Sequence, residues 1–76
     1  MTNRRTIFRV MPNSQGGWKV EQGNRTISNH RKKSTAIQSG RQTAKKQQPS
    51  QLIIHGSDGK IQTEHTYEND PYPPKG

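Results

Sequence analysis

Only ten of the 76 residues are Leu, Ile, Val or Phe, so any fold this chain adopts must be organised around a thin supply of large apolar side chains. Combined with a net charge of +8 and no cysteine, that scarcity is the composition of an intrinsically disordered chain. The placement of the ten argues the other way. They fall at strand spacing between turn-forming residues, which predicts one small folded domain. So small a core predicts marginal stability for a monomer. A homodimer or a bound polyanion is the simplest source of more, since anything that binds only the folded state shifts the equilibrium toward it.

In Arg5-Thr6-Ile7-Phe8-Arg9-Val10-Met11, alternation puts Phe8 and Val10 on one strand face and Ile7, Arg9 and Met11 on the other. The turn-rich stretch Pro12 to Gly17 leads into Trp18-Lys19-Val20-Glu21, so the two segments predict a hairpin. Gly23-Asn24 supplies a tight turn, and Arg25-Thr26-Ile27-Ser28 predicts a short third strand. From Lys33 to Gln48, Ala36, Ile37, Gly40 and Ala44 share one side at helical spacing, which predicts an amphipathic helix stopped by Pro49. Gly40 in its middle weakens the helix unless the chain must approach a sheet closely there. Gln51 to His55 is the most apolar run, and Gly56-Ser57-Asp58-Gly59 turns it into Lys60-Ile61-Gln62-Thr63, predicting a second hairpin. The expected fold class is α+β. Its element order is β-β-(β)-α-β-β, a small, mainly antiparallel sheet with one helix on one face. The expected organisation is a flexible N-terminus over 1–4, a single domain over 5–63 and an acidic, Pro- and Tyr-containing tail over 64–76. Core candidates are Phe8, Val10, Trp18, Val20, Ile27, Ile37, Ala44, Leu52 and Ile54.

Several of these segments carry a resemblance. Gly17-Trp18-Lys19-Val20, Thr35-Ala36-Ile37 in the helix, His55-Gly56 with Asp58-Gly59-Lys60-Ile61-Gln62, and Tyr67 with Asn69-Asp70-Pro71 and Pro73-Pro74-Lys75-Gly76 make the chain resemble a small bacterial family, domain of unknown function 2188. The resemblance spans nearly the whole chain and implies a compact small α+β domain; the family comes without an established activity. Its typical members have a more acidic, alanine-rich helix. Here the helix carries Thr, Gln, Ser, Gly, Arg and Lys and no acidic residue.

Charge is the strongest functional signal. Residues 1–60 hold twelve basic and two acidic side chains, whereas residues 61–76 hold one basic and three acidic. Arg4, Arg5 and Arg9 at the first strand, the Arg31-Lys32-Lys33 run, and Arg41, Lys45 and Lys46 on the helix are the candidate contacts to nucleic-acid phosphates. Their convergence on one face would make such a footprint; the bland alternative is a solvated basic surface that keeps a small protein soluble. With Phe8, Trp18, Tyr67 and Tyr72 the only aromatics besides histidine, and the first two expected in the core, stacking on single strands is poorly supplied. Backbone-directed contact of low sequence specificity is therefore the expected form, to DNA or RNA. The alternative partner is a protein or a second copy of the chain, met through a sheet edge or the tail.

Other chemistries find little support. His30, His55 and His65 lack metal-ligand spacing, and the two glycine-rich segments match neither a phosphate loop nor a dinucleotide fingerprint; His55 is expected to hydrogen-bond within the second hairpin. No serine or threonine has an identifiable partner base, and Glu64, Glu68 and Asp70 crowd into the expected tail. No enzyme activity, cofactor, metal or small-molecule substrate is expected. A signal peptide or membrane helix is not expected either, because no apolar run exceeds four residues where a span needs about 20. The expected setting is the cytoplasm. The tail reads either as a strap, with Tyr67 and Tyr72 over the sheet and its acids against basic residues, or as a proline-containing peptide ligand.

Overall fold

A computed structural model of the chain describes residues 5–68. Its elements run β1 (Thr6–Pro12), β2 (Trp18–Gln22), β3 (Arg25–His30), α1 (Lys33–Lys46), β4 (Ser50–His55) and β5 (Ile61–Tyr67). The strands form one sheet in the order β3-β2-β1-β4-β5. Three neighbouring pairs are antiparallel; β1 and β4 are parallel, because α1 carries the chain back before β4 starts. This is the expected α+β fold, with the sheet mixed and the third strand present.

The first hairpin closes through Gly16 N–H to Asn13 O and Asn13 N–H to Gly17 O, both 2.9 Å. Gly17 has φ +81°, and a Cβ there would lie 2.5 Å from the His30 carbonyl oxygen, so this position accepts only glycine without rearrangement. The second closes through Gly56 N–H to Lys60 O at 2.8 Å and Gly59 N–H to Gly56 O at 2.9 Å.

Alternation along the strands places Phe8, Val10, Val20, Leu52 and Ile54 beneath α1, where they form the core with Ala36 and Ala44. Trp18, Ile37 and Tyr67 pack against it, each half-buried. The helix presents Ala36, Gly40 and Ala44, one turn apart, to the sheet. At Gly40 an added Cβ would lie 3.0 Å from Leu52 Cδ1 and 3.3 Å from Val10 Cγ2, the close approach that the glycine predicted. Beneath the end of the helix, the fully buried Ser50 hydroxyl donates to Ala44 O at 2.6 Å.

Two boundaries and one core residue differ from expectation. The helix ends at Lys46 rather than Gln48, with Gln47 out of helical geometry at its C-cap. Strand β5 continues past residue 63 to Tyr67, pairing Glu64 with Ile53 and Tyr67 with Ser50, so the first four residues assigned to a tail belong to the sheet. Charged and polar residues at 62–66 hid it, because an edge strand needs little apolar surface. Ile27, expected in the core, is 38% exposed. A register shift pairs Val20 with Ser28 and Glu21 with Thr26, which leaves Ile27 in the bulge without a partner.

Filling the helix–sheet contact tests this packing. Gly40→Val should destabilise the domain by about 2 kcal/mol in urea denaturation, because its branched side chain must displace Leu52 and Val10. An unchanged midpoint would contradict the close approach.

Candidate nucleic-acid interface

The topology distributes the eight candidate cations among the described residues over two faces and two ends. Because β1, β3 and β4 run one way and α1 the other, the helix N-terminus lies at the end of the sheet where β3 finishes, and its C-terminus at the end where β4 begins. Arg31 and Lys32 are exposed at the first end. Arg41, Lys45 and Lys46 are exposed on α1, the last two in its final turn, where cations complement the negative end of the helix dipole. These five stand on the helix side. Residues 31–46 hold six basic and no acidic side chains, and the 14-residue helix is about 21 Å long.

The other candidates have structural partners or lie elsewhere. Lys33 Nζ sits 5.0 Å from the centroid of the Trp18 ring and donates to Gln62 Oε1, which ties the helix start to β2 and β5. Exposed Arg5, just before β1, pairs with Glu68. Arg9 points from β1 to the face opposite the helix, where its Nη1 lies 3.2 Å from His55 Nε2. Arg4 lies outside the described residues. Arg25, which the sequence reading passed over, is exposed at the start of β3, at the same end as Lys45 and Lys46. Its strand assignment hid it; only the sheet order reveals the shared end.

Carboxylates are sorted by position as well. Glu21 pairs with Lys19 at 3.0 Å on the face away from the helix, and Glu64 accepts from Gln51 at 2.9 Å on that same face. Asp58 accepts the Lys60 N–H within the second hairpin turn. Neither ion pair among the described residues uses a cation of the helix.

His55 is 6% exposed on the far face, and its ring is oriented from both sides. Nδ1 lies 2.9 Å from Gly59 O, which can only accept, and Nε2 faces a guanidinium, which can only donate. These partners assign the ring proton to Nδ1 and make the histidine a brace between β1 and the second turn. His30 Nε2 meets Ser28 Oγ at 2.9 Å on the edge strand β3, and no carboxylate orients His30 among the described residues. No group of three His, Asp or Glu side chains is arranged to hold a metal ion among the described residues. No helix among them is long and apolar enough to cross a membrane.

A protein-family model described as "Uncharacterized protein conserved in bacteria (DUF2188)" matches residues 8–67. The chain belongs to this family. No curated protein and no solved structure matches it. Within the fold, several described residues of the segments that carry the family resemblance have structural work. Gly17 lets the first turn pass under the His30 carbonyl, Trp18 receives Lys33, His55 and Gly59 bond to each other, and Tyr67 pairs with Ser50. None of them belongs to the exposed basic group of the helix side.

The Arg9 to His55 brace gives a direct check. Arg9→Met should lower stability by about 1 kcal/mol by leaving the buried His55 Nε2 unpaired, and ring-nitrogen NMR of the unmodified protein should find the proton on Nδ1. A proton on Nε2 would contradict the assignment.

Proposed function

We propose that this bacterial protein is a non-enzymatic nucleic-acid-binding domain that contacts backbone phosphates through the helix side. The observation that carries the reading is the run from Arg31 to Lys46, with six cations, no carboxylate, and five of the six exposed. Phosphate neutralisation by such a row releases condensed counterions, the dominant source of affinity in backbone-directed binding. Arg31, Lys32, Arg41, Lys45 and Lys46 are the contacts, with Arg25 extending the row at the helix C-terminal end. Lys33, Arg5 and Arg9 contribute through the fold and the overall field, since each already holds a partner. A nucleic-acid partner puts this work in the cytoplasm, where bacterial DNA and RNA lie.

A second reading, a homodimer or a protein-interaction module, rests on Ile61, 52% exposed at the start of edge strand β5. The two readings separate by salt. Nucleic-acid affinity resting on about five phosphate contacts should fall roughly 500-fold between about 50 and 200 mM salt. Lys45→Ala with Lys46→Ala should reduce the salt slope by about two, whereas Arg9→Met should leave it unchanged. Fluorescence polarisation on labelled oligonucleotides measures all three. Absence of binding at low salt, together with salt-insensitive self-association in sedimentation, would overturn the first reading and establish the second.

A further inference from the structure

Building on that reading, we infer that the partner is duplex DNA, with α1 lying in the major groove and Gln38, Arg41 and Gln42 reading base edges. The inference rests on what the outer face of α1 presents besides charge. Gln38 and Gln42 are exposed one turn apart on the side opposite Ala36, Gly40 and Ala44, with exposed Arg41 beside them. None of the three side chains makes a hydrogen bond or ion pair among the described residues. These are the residue types whose geometry matches base edges: a glutamine amide pairs with N6 and N7 of adenine, and a guanidinium with O6 and N7 of guanine. Ser34 and Thr35 are also exposed, so the outer face has no bulky apolar group to keep the helix from a groove.

The alternatives lack what they require. Single-strand binding uses exposed aromatic platforms, and among the described residues Phe8 is fully buried, Trp18 is half-buried against Lys33, and Tyr67 is half-buried against the core, while Tyr72 lies outside them. Duplex RNA has a major groove too deep and narrow for side chains to read. The major groove of B-form DNA is about 12 Å wide and admits an α-helix of about 10–12 Å diameter. Charge complementarity completes the match. Cations at both ends of α1, Arg31 and Lys32 at one and Lys46 at the other, flank the two glutamines as phosphates flank the groove floor.

The test separates base reading from phosphate binding. The full chain would be used to enrich sequences from a randomised DNA duplex pool. Polarisation titrations would then compare the enriched duplex, a shuffled duplex, the same sequence as duplex RNA, and one strand alone. The expected result is an enriched sequence bound about tenfold or more tighter than the shuffled duplex, with duplex RNA and the single strand weaker still. Gln38→Ala with Gln42→Ala should remove most of that preference while leaving affinity for the shuffled duplex and its salt slope nearly unchanged, and Arg41→Lys, which loses the planar fork, should relax the preference at guanine. All three positions are exposed and alanine favours helix, so circular dichroism should show folded variants. Equal binding of DNA and RNA duplexes, no enriched sequence, or variants that keep full discrimination would overturn base reading and leave phosphate binding standing. No binding to any probe at low salt would overturn both.

Discussion

Everything in this domain depends on how closely α1 lies against the sheet at Gly40. With so few large apolar residues, the chain cannot fill a wide gap between helix and sheet, and a dry gap forfeits the dispersion contacts that hold a core together. Ala36, Gly40 and Ala44 solve this by reducing the helix surface to nearly bare backbone, so that Leu52 and Val10 meet it directly. The glycine costs about 1 kcal/mol of helix propensity relative to alanine, less than a poorly filled core would. The Ser50 hydroxyl then holds the helix end down through Ala44 O, a hydrogen bond from a fully buried side chain.

That economy leaves the second sheet face to be managed without another layer of secondary structure among the described residues. Ile53 is nevertheless only 7% exposed. Arg9 and Glu64 stand in register on either side of it, and long side chains of this kind can lay apolar stems over a neighbour while keeping their heads polar. His55 ties Arg9 down, Gln51 ties Glu64, and Lys19 ties Glu21. The sorting of charge follows. A face that ties Glu21 to Lys19 and Glu64 to Gln51 collects carboxylates, while the small buried stripe of α1 needs no charged support, leaving the cations of the helix side without ion pairs among the described residues.

Much of the fold was legible because the few apolar residues are so regularly spaced. Phe8 and Val10, Val20, and Leu52 and Ile54 each sit at alternate positions, and Gly40 in an otherwise sound helix signalled the sheet beneath it. What escaped depends on pairing rather than pattern. The bulge that expels Ile27 is a property of two strands together, and β5 beyond Thr63 shows its identity only through its register with β4. The proposed interface was legible as a list of cations but not as a surface. Arg9 and Arg41 look alike in the sequence, and only the side on which α1 packs separates them, one bonded to His55 on the far face and the other exposed on the helix.

On the proposed reading, the start of α1 makes the basic row more than surplus charge. Lys32 supplies no side-chain cap and the first turn has no acidic residue, so Arg31, Lys32 and Lys33 crowd the positive end of the helix dipole. Each cation placed there opposes folding by roughly 0.3–1 kcal/mol. Lys33 offsets this through Trp18 and Gln62, but Arg31 and Lys32 have no comparable bond among the described residues. The fold tolerates them without requiring them. A polyanion changes the sign of the interaction, because phosphates near that end neutralise the repulsion and favour the dipole at once. On the proposed reading, binding and stability are therefore linked, and a nucleic-acid partner should stabilise the domain most strongly where the isolated fold is electrostatically least satisfied.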